Sequence, residues 1–136
     1  MGKRLFKPRL KAFRVGPLPA DLINRALGTE LEAADVWVSK AAHRHIALDH
    51  PDDYPVIKAH LIDIIRSPTY AGQDPQHGDG FYLVKKIEKI GEKEFALVAI
   101  SLEVSAFGTF NVKSAYAIKQ QDVTSRRLKG ALKVLY

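Results

Sequence analysis

The chain contains no cysteine, so neither a disulfide framework nor a thiolate zinc site can form, and stability has to come from packing. A reducing compartment is therefore permitted. No apolar run approaches the ~20 residues of a membrane-spanning helix, and the opening MGKRLFKPRLK has no apolar stretch of the kind a secretory signal needs. These absences predict a soluble protein with no membrane partner. Internal repeats and low-complexity tracts are missing as well, which argues against a solenoid or an array. Acidic residues are the scarcer charge: 15 Asp and Glu against 21 Lys and Arg give a formal charge of +6 and a pI near 9.6. A surface of that sign attracts polyanions, and nucleic acid is the natural candidate, although a basic surface also suits a protein that binds nothing.

What is present fits one α+β domain over residues 1–136, with 46% hydrophobic and 26% charged residues. Lys3, Arg4, Lys7, Arg9, Lys11 and Arg14 interleave with Leu5, Phe6, Leu10 and Phe13 around a helix-breaking Pro8, so residues 1–15 read as a basic arm. The core is expected over 16–119. Gly16-Pro17-Leu18-Pro19 is a turn, and Pro19 is placed to start a short amphipathic helix from Ala20 to Leu27, closed by Gly28. Val36-Trp37-Val38 is a run of β-formers, followed by Ser39 as N-cap of a helix from Lys40 to Asp49. The next helix starts at Asp52 or Asp53, keeps helical spacing through Val56, Ile57, Leu61, Ile64 and Ile65, and ends before Pro68.

From there the pattern changes to strands. Gly72 to Gly80 reads as an exposed loop, and Phe81–Ile90, Phe95–Val104 and Thr109–Ile118 are rich in β-branched and aromatic residues. A meander after helices predicts an antiparallel sheet with N-terminal helices packed on one face and the other face open to solvent and ligand. Residues 120–136 read as a basic C-terminal segment, helical before Gly130.

Two groups of residues can carry chemistry. The stretch His43-Arg44-His45-Ile46-Ala47-Leu48-Asp49-His50 puts His45 and Asp49 four apart, so a carboxylate can orient the imidazole as a general base needs. His50 stands at the helix end, where the negative end of the dipole favours an imidazolium and suits a general acid; a capping or surface role is the plain alternative. Zinc-type spacing is lacking, since His43 and His45 project in different directions, so no metal is expected. In the second group, strand alternation puts Thr109, Asn111 and Lys113 on one face and Phe110 and Val112 on the other. Such a row can hold a phosphate, with Lys85 and Ser105 as further contributors, or it can be an ordinary solvated face. Tyr116 shares a face with Phe110 only if no bulge intervenes.

The order of these segments resembles the phage-associated branch of the barnase, EndoU, colicin and RelE-like nuclease superfamily. The likeness runs from about Gly16 to Lys119 and rests on Val36-Trp37-Val38-Ser39, His45-Ile46, Asp49-His50-Pro51, Arg66-Ser67-Pro68 and Gly108-Thr109-Phe110-Asn111-Val112-Lys113. It implies helices packed on a curved antiparallel sheet and a metal-independent ribonuclease without cofactor. By the same resemblance, His45, His50, Lys113 and Thr109 are the catalytic candidates, with Lys85, Ser105, Asn111 and Tyr116 as substrate contacts. The implied partners are RNA, either tRNA or mRNA, and an acidic immunity or antitoxin protein. The implied place of action is the cytoplasm, reached by phage or a secretion system. Because such superfamilies exchange catalytic residues between branches, a non-catalytic RNA-binding module, a phage structural protein and an adaptor stay open beside the enzyme.

Overall fold

Phe95-Ala96-Leu97-Val98-Ala99-Ile100 is apolar at every position, a pattern that a strand adopts where both of its faces are covered. In the computed structural model, which describes residues 10–73 and 80–135, this run lies in the middle strand of a sheet. The elements in chain order are β1 (Phe13–Pro17), α1 (Ala20–Leu27), β2 (Asp35–Val38), α2 (Lys40–Asp49), α3 (Tyr54–Arg66), β3 (Tyr70–Gly72), β4 (Gly80–Ile90), β5 (Lys93–Ser101), β6 (Phe110–Lys119), α4 (Gln120–Leu128) and β7 (Lys133–Val134). The strands form a single sheet in the order β1-β2-β6-β5-β4-β3-β7, antiparallel throughout except for the parallel pair β2/β6.

Ala96, Val98 and Ile100 face one side, where they join Ile23 of α1, Ile46 of α2 and Ile57, Leu61, Ile64 and Ile65 of α3 in the main core. Phe95 and Leu97 face the other side and pack with Val84, Ile118, Val123 and Leu132. The second face is therefore only partly open, contrary to the expectation from the meander. Residues 120–135 are the reason. Read from sequence as a basic segment outside the core, they bury Val123 and Leu132 against β5 and β6 and add β7 to the edge of β3. Of the loop expected over 72–80, Gly72 and Gly80 end up in strands, and 74–79 lie outside the described residues.

At the other end, Phe13 to Pro17 is a strand rather than the end of an arm and a turn. Phe13 and Val15 turn toward the core, and the Arg14 guanidinium donates to both Asp35 oxygens, at 2.8 and 2.9 Å. Those hydrogen bonds hold the Asp35 carboxyl below its ordinary range. The pair's stabilisation is thus complete above the usual carboxylate range and is lost as pH falls through the lowered value. The basic residues Lys3, Arg4, Lys7 and Arg9 lie outside the described residues.

Because β2 pairs with β6 only at Val36↔Phe110 and Trp37↔Asn111, the rest of that β6 edge needs another partner. Asp53 supplies it. Its carboxylate does not cap α3; it accepts the Ala117 N–H at 3.0 Å and the Lys93 ammonium at 3.3 Å while only 3% exposed. Asp53→Ala leaves that buried N–H unpaired and is expected to cost about 2 kcal/mol of stability. Urea denaturation checks this; an unchanged midpoint would show that the anchor contributes nothing.

Candidate active site

The Ser39 hydroxyl accepts the Ala42 N–H at 3.1 Å, so α2 begins as soon as β2 ends and runs on against β6. Its rotation is set by the core. Ile46 and His43 are each 3% exposed, and the His43 ring bridges the Lys11 carbonyl at 2.8 Å and the Tyr54 hydroxyl at 2.5 Å. A carbonyl only accepts, so His43 Nδ1 carries the hydrogen, and this ring is a packing element. With that face buried, His45 and Asp49 turn outward, with Nδ1 of the imidazole 2.6 Å from the carboxylate. The proton on that bond fixes Nε2 as the nitrogen left for chemistry.

His50 sits at the C-cap of α2, its ring centroid 6.0 Å from that of His45 and stacked at 5.3 Å on Tyr116 of β6. No hydrogen bond to another described residue ties its ring nitrogens. The site thus has two imidazoles side by side, one held by a carboxylate and one seated on an aromatic ring from the sheet.

On β6, Phe110 and Val112 are 0% and 2% exposed, and Asn111 lies on the outer face beside its register partner Trp37. A bulge follows: Ile100 opposes Val112 and Ala99 opposes Ser114, which leaves Lys113 as the extra residue. The phase of the strand shifts there. Ala115 and Ala117 take the core side, while Tyr116 joins the outer face, opposite to Phe110. The bulge also re-aims Lys113, whose Nζ lies 3.8 Å from the point where a Cβ on Gly80 would stand. Its ammonium therefore reaches toward Gly80, at the start of β4. The histidines and Tyr116 are brought together; Lys113 is not brought to them.

Lys85 departs further from expectation. It shares the core side of β4 with Leu83 and Ile87 and is paired with Asp63 of α3 at 3.0 Å, so it cannot join a row on the outer face. Thr109 and Ser105 are spent largely on one another. The Ser105 hydroxyl accepts the N–H groups of Phe107 and Thr109 at 3.2 and 3.3 Å, which fills its lone pairs, and its hydrogen then goes to Thr109 Oγ1 at 2.9 Å. That leaves the Thr109 hydrogen free to donate outward.

Sequence reasoning misses two cations on the outer face: Arg126 over the Tyr82 ring at 5.4 Å and Arg127 over the Tyr70 ring at 5.2 Å. Nothing local marks these pairs, which form only when α4 folds back on the sheet. Among the described residues no group of three or more His, Asp or Glu side chains is placed to share a metal ion, and no helix is long and apolar enough to cross a membrane.

Against this geometry, a family model described as phage-Barnase-EndoU-ColicinE5/D-RelE like nuclease3 matches residues 14–125. The chain belongs to that family. No curated protein and no solved structure gives a match. The matched span of this phage-associated nuclease begins inside β1 and ends inside α4, so it takes in Arg14 and the first residues of the helix that covers the second face. The α+β architecture, helices beside a mostly antiparallel sheet, agrees with the family's fold.

Proposed function

We propose that this nuclease is an endoribonuclease that needs no metal and cuts by attack of the ribose 2′-oxygen on the neighbouring phosphorus. The observation that carries the reading is the His45–His50 pair, 6.0 Å apart between ring centroids, with one imidazole oriented by Asp49. Both rings can reach oxygens on one phosphorus, each needing a contact of ~2.6–3.2 Å. His45 Nε2 takes the 2′-hydroxyl proton, because Asp49 fixes the other nitrogen as a donor. The 2′-oxygen then bonds to phosphorus, the bond to the 5′-oxygen breaks, and His50 protonates the departing oxygen. The products are a 2′,3′-cyclic phosphate and a 5′-hydroxyl. His50 takes the acid role because Asp49 already orients His45 as the base.

Lys113 and Arg126 serve as phosphate contacts along the outer face rather than as acid or base, and Thr109 donates its remaining hydrogen to a phosphate oxygen. The charge of +6 supports a polyanionic substrate, and an acidic immunity or antitoxin protein would use the same attraction. The deciding experiment is incubation with total tRNA and mRNA in excess chelator, followed by end-group analysis. Cyclic phosphate ends are the expected result; products with 5′-phosphate ends, or cleavage that stops in chelator, would end the proposal. Salt-sensitive RNA binding without any product would mark a non-catalytic binding module. Lys113→Ala is expected to raise KM about tenfold with little change in kcat and to flatten the salt dependence, which steady-state rates at two ionic strengths would check.

A further inference from the structure

Between β2 and the connection from β5 to β6 lies a cleft of about 640 Å³ lined by Trp37, Ser39, Ser105, Phe107, Thr109 and Asn111. Its volume is that of a small-ligand site. The connection is a built turn: Ser105 N–H donates to the Thr109 carbonyl at 2.7 Å, Gly108 N–H to the Ser105 carbonyl at 2.9 Å, and Gly108 takes φ +77°, open to glycine at no cost. With the Ser105 hydroxyl bonds added, the turn is tied tightly enough to hold Phe107 out into water, 92% exposed. Trp37 supplies a second aromatic ring. Asn111 offers an amide that bonds to no other described residue, and Thr109 offers a hydroxyl hydrogen.

The chemistry of this lining selects its ligand. It contains no Lys or Arg, so a phosphate finds no countercharge there. A purely apolar ligand would leave the Asn111 amide unpaired. Two aromatic rings beside an amide and a hydroxyl are complementary to a flat heterocycle with donors and acceptors on its edge. We infer that the cleft is a nucleobase subsite, which holds the base of a nucleotide flanking the cut and selects it through Asn111. This rests on the ribonuclease reading only for what the bound base is attached to. Asn111 and Tyr116 share the outer face of one strand, roughly 15 Å apart at ~3.3 Å per residue, so a strand with its base at Trp37 can pass its backbone by the histidines.

Trp37 is the sole tryptophan, so tryptophan emission excited beyond the absorption of the five tyrosines reports on this cleft. Titration with each of the four nucleoside monophosphates is expected to give saturable quenching with at least one of them and none with ribose 5-phosphate. Phe107→Ala, at a position too exposed to affect folding, and Asn111→Ala should each weaken that binding about tenfold, the scale of losing one stacking or edge contact. Absence of quenching at millimolar nucleotide, equal quenching by ribose 5-phosphate, or unchanged affinity in both variants would overturn the subsite. A parallel RNA cleavage assay separates the two proposals: quenching without cleavage removes the ribonuclease and keeps the subsite, whereas cleavage without quenching does the reverse.

Discussion

His45→Ala is expected to slow RNA cleavage by about 10²–10⁴-fold, the range for loss of a positioned general base, while RNA binding and folding stay as they were. The side chain is 46% exposed and belongs to neither core cluster, so the loss would fall on kcat rather than on stability. His50→Ala should produce a loss of the same order. The two variants differ in their pH profiles: without His45 the fall in rate on the acid side disappears, because no base remains to be protonated, and without His50 the fall on the alkaline side disappears. Asp49→Asn keeps the shape and removes the anion that orients His45, so its loss should be smaller, at about tenfold. Rates and profiles measured in chelator check all three. Cleavage at wild-type rates by both His45→Ala and His50→Ala would take the chemistry away from this pair, whatever the family's general activity.

The His45–Asp49 pairing is legible in the amino-acid sequence because its geometry is local: both belong to one helix, and a spacing of four within a helix decides which side chains meet. The same holds for α2 as a whole, where Ser39 and the end at Asp49 are short-range signals. His50, five residues from His45, comes beside it because the chain leaves helical geometry at the C-cap of α2. Relations that depend on distant segments are not legible in this way. Lys85 reads as available because the sequence does not reveal that Asp63, on another element, stands 3.0 Å away. Lys113 reads as a neighbour of Thr109 and Asn111 under strict alternation, and the bulge at that residue turns it toward Gly80. The strands β1, β3 and β7 are short and carry charge, proline or glycine, so their composition does not announce them; pairing with a neighbour makes them strands. One further signal does stand in the sequence: the unbroken apolar run of β5 requires cover on both faces, and the amphipathic residues after Gln121 are there to provide it.

Gly72→Val is expected to remove about 3 kcal/mol of stability, at the upper end of what overpacking costs, because the backbone of the C-terminal segment passes directly over Gly72. A Cβ built on Gly72 would stand 1.9 Å from the Ala131 carbonyl oxygen and 2.9 Å from Leu132 Cδ2. The first contact is with backbone, which cannot swing aside as the end of a side chain can, so the whole connection from α4 to β7 has to lift. Lifting it uncovers Leu132 and breaks the pairing of Tyr70 with Val134 and Ala71 with Lys133. It also withdraws Arg126 from Tyr82 and Arg127 from Tyr70, which are the cations α4 adds to the outer face. Two measurements should therefore move together: the urea midpoint falls, and RNA affinity measured below the denaturation range weakens with a shallower salt dependence, since fewer phosphate contacts remain. The histidine pair sits on α2 and its C-cap, against Tyr116 of β6 and away from this lesion, so kcat at saturating RNA should change little. A Gly72→Val protein with unaltered stability would show that β7 is not docked on β3 in solution; one with lowered stability and an unaltered salt dependence would show that the arginines of α4 do not face the RNA.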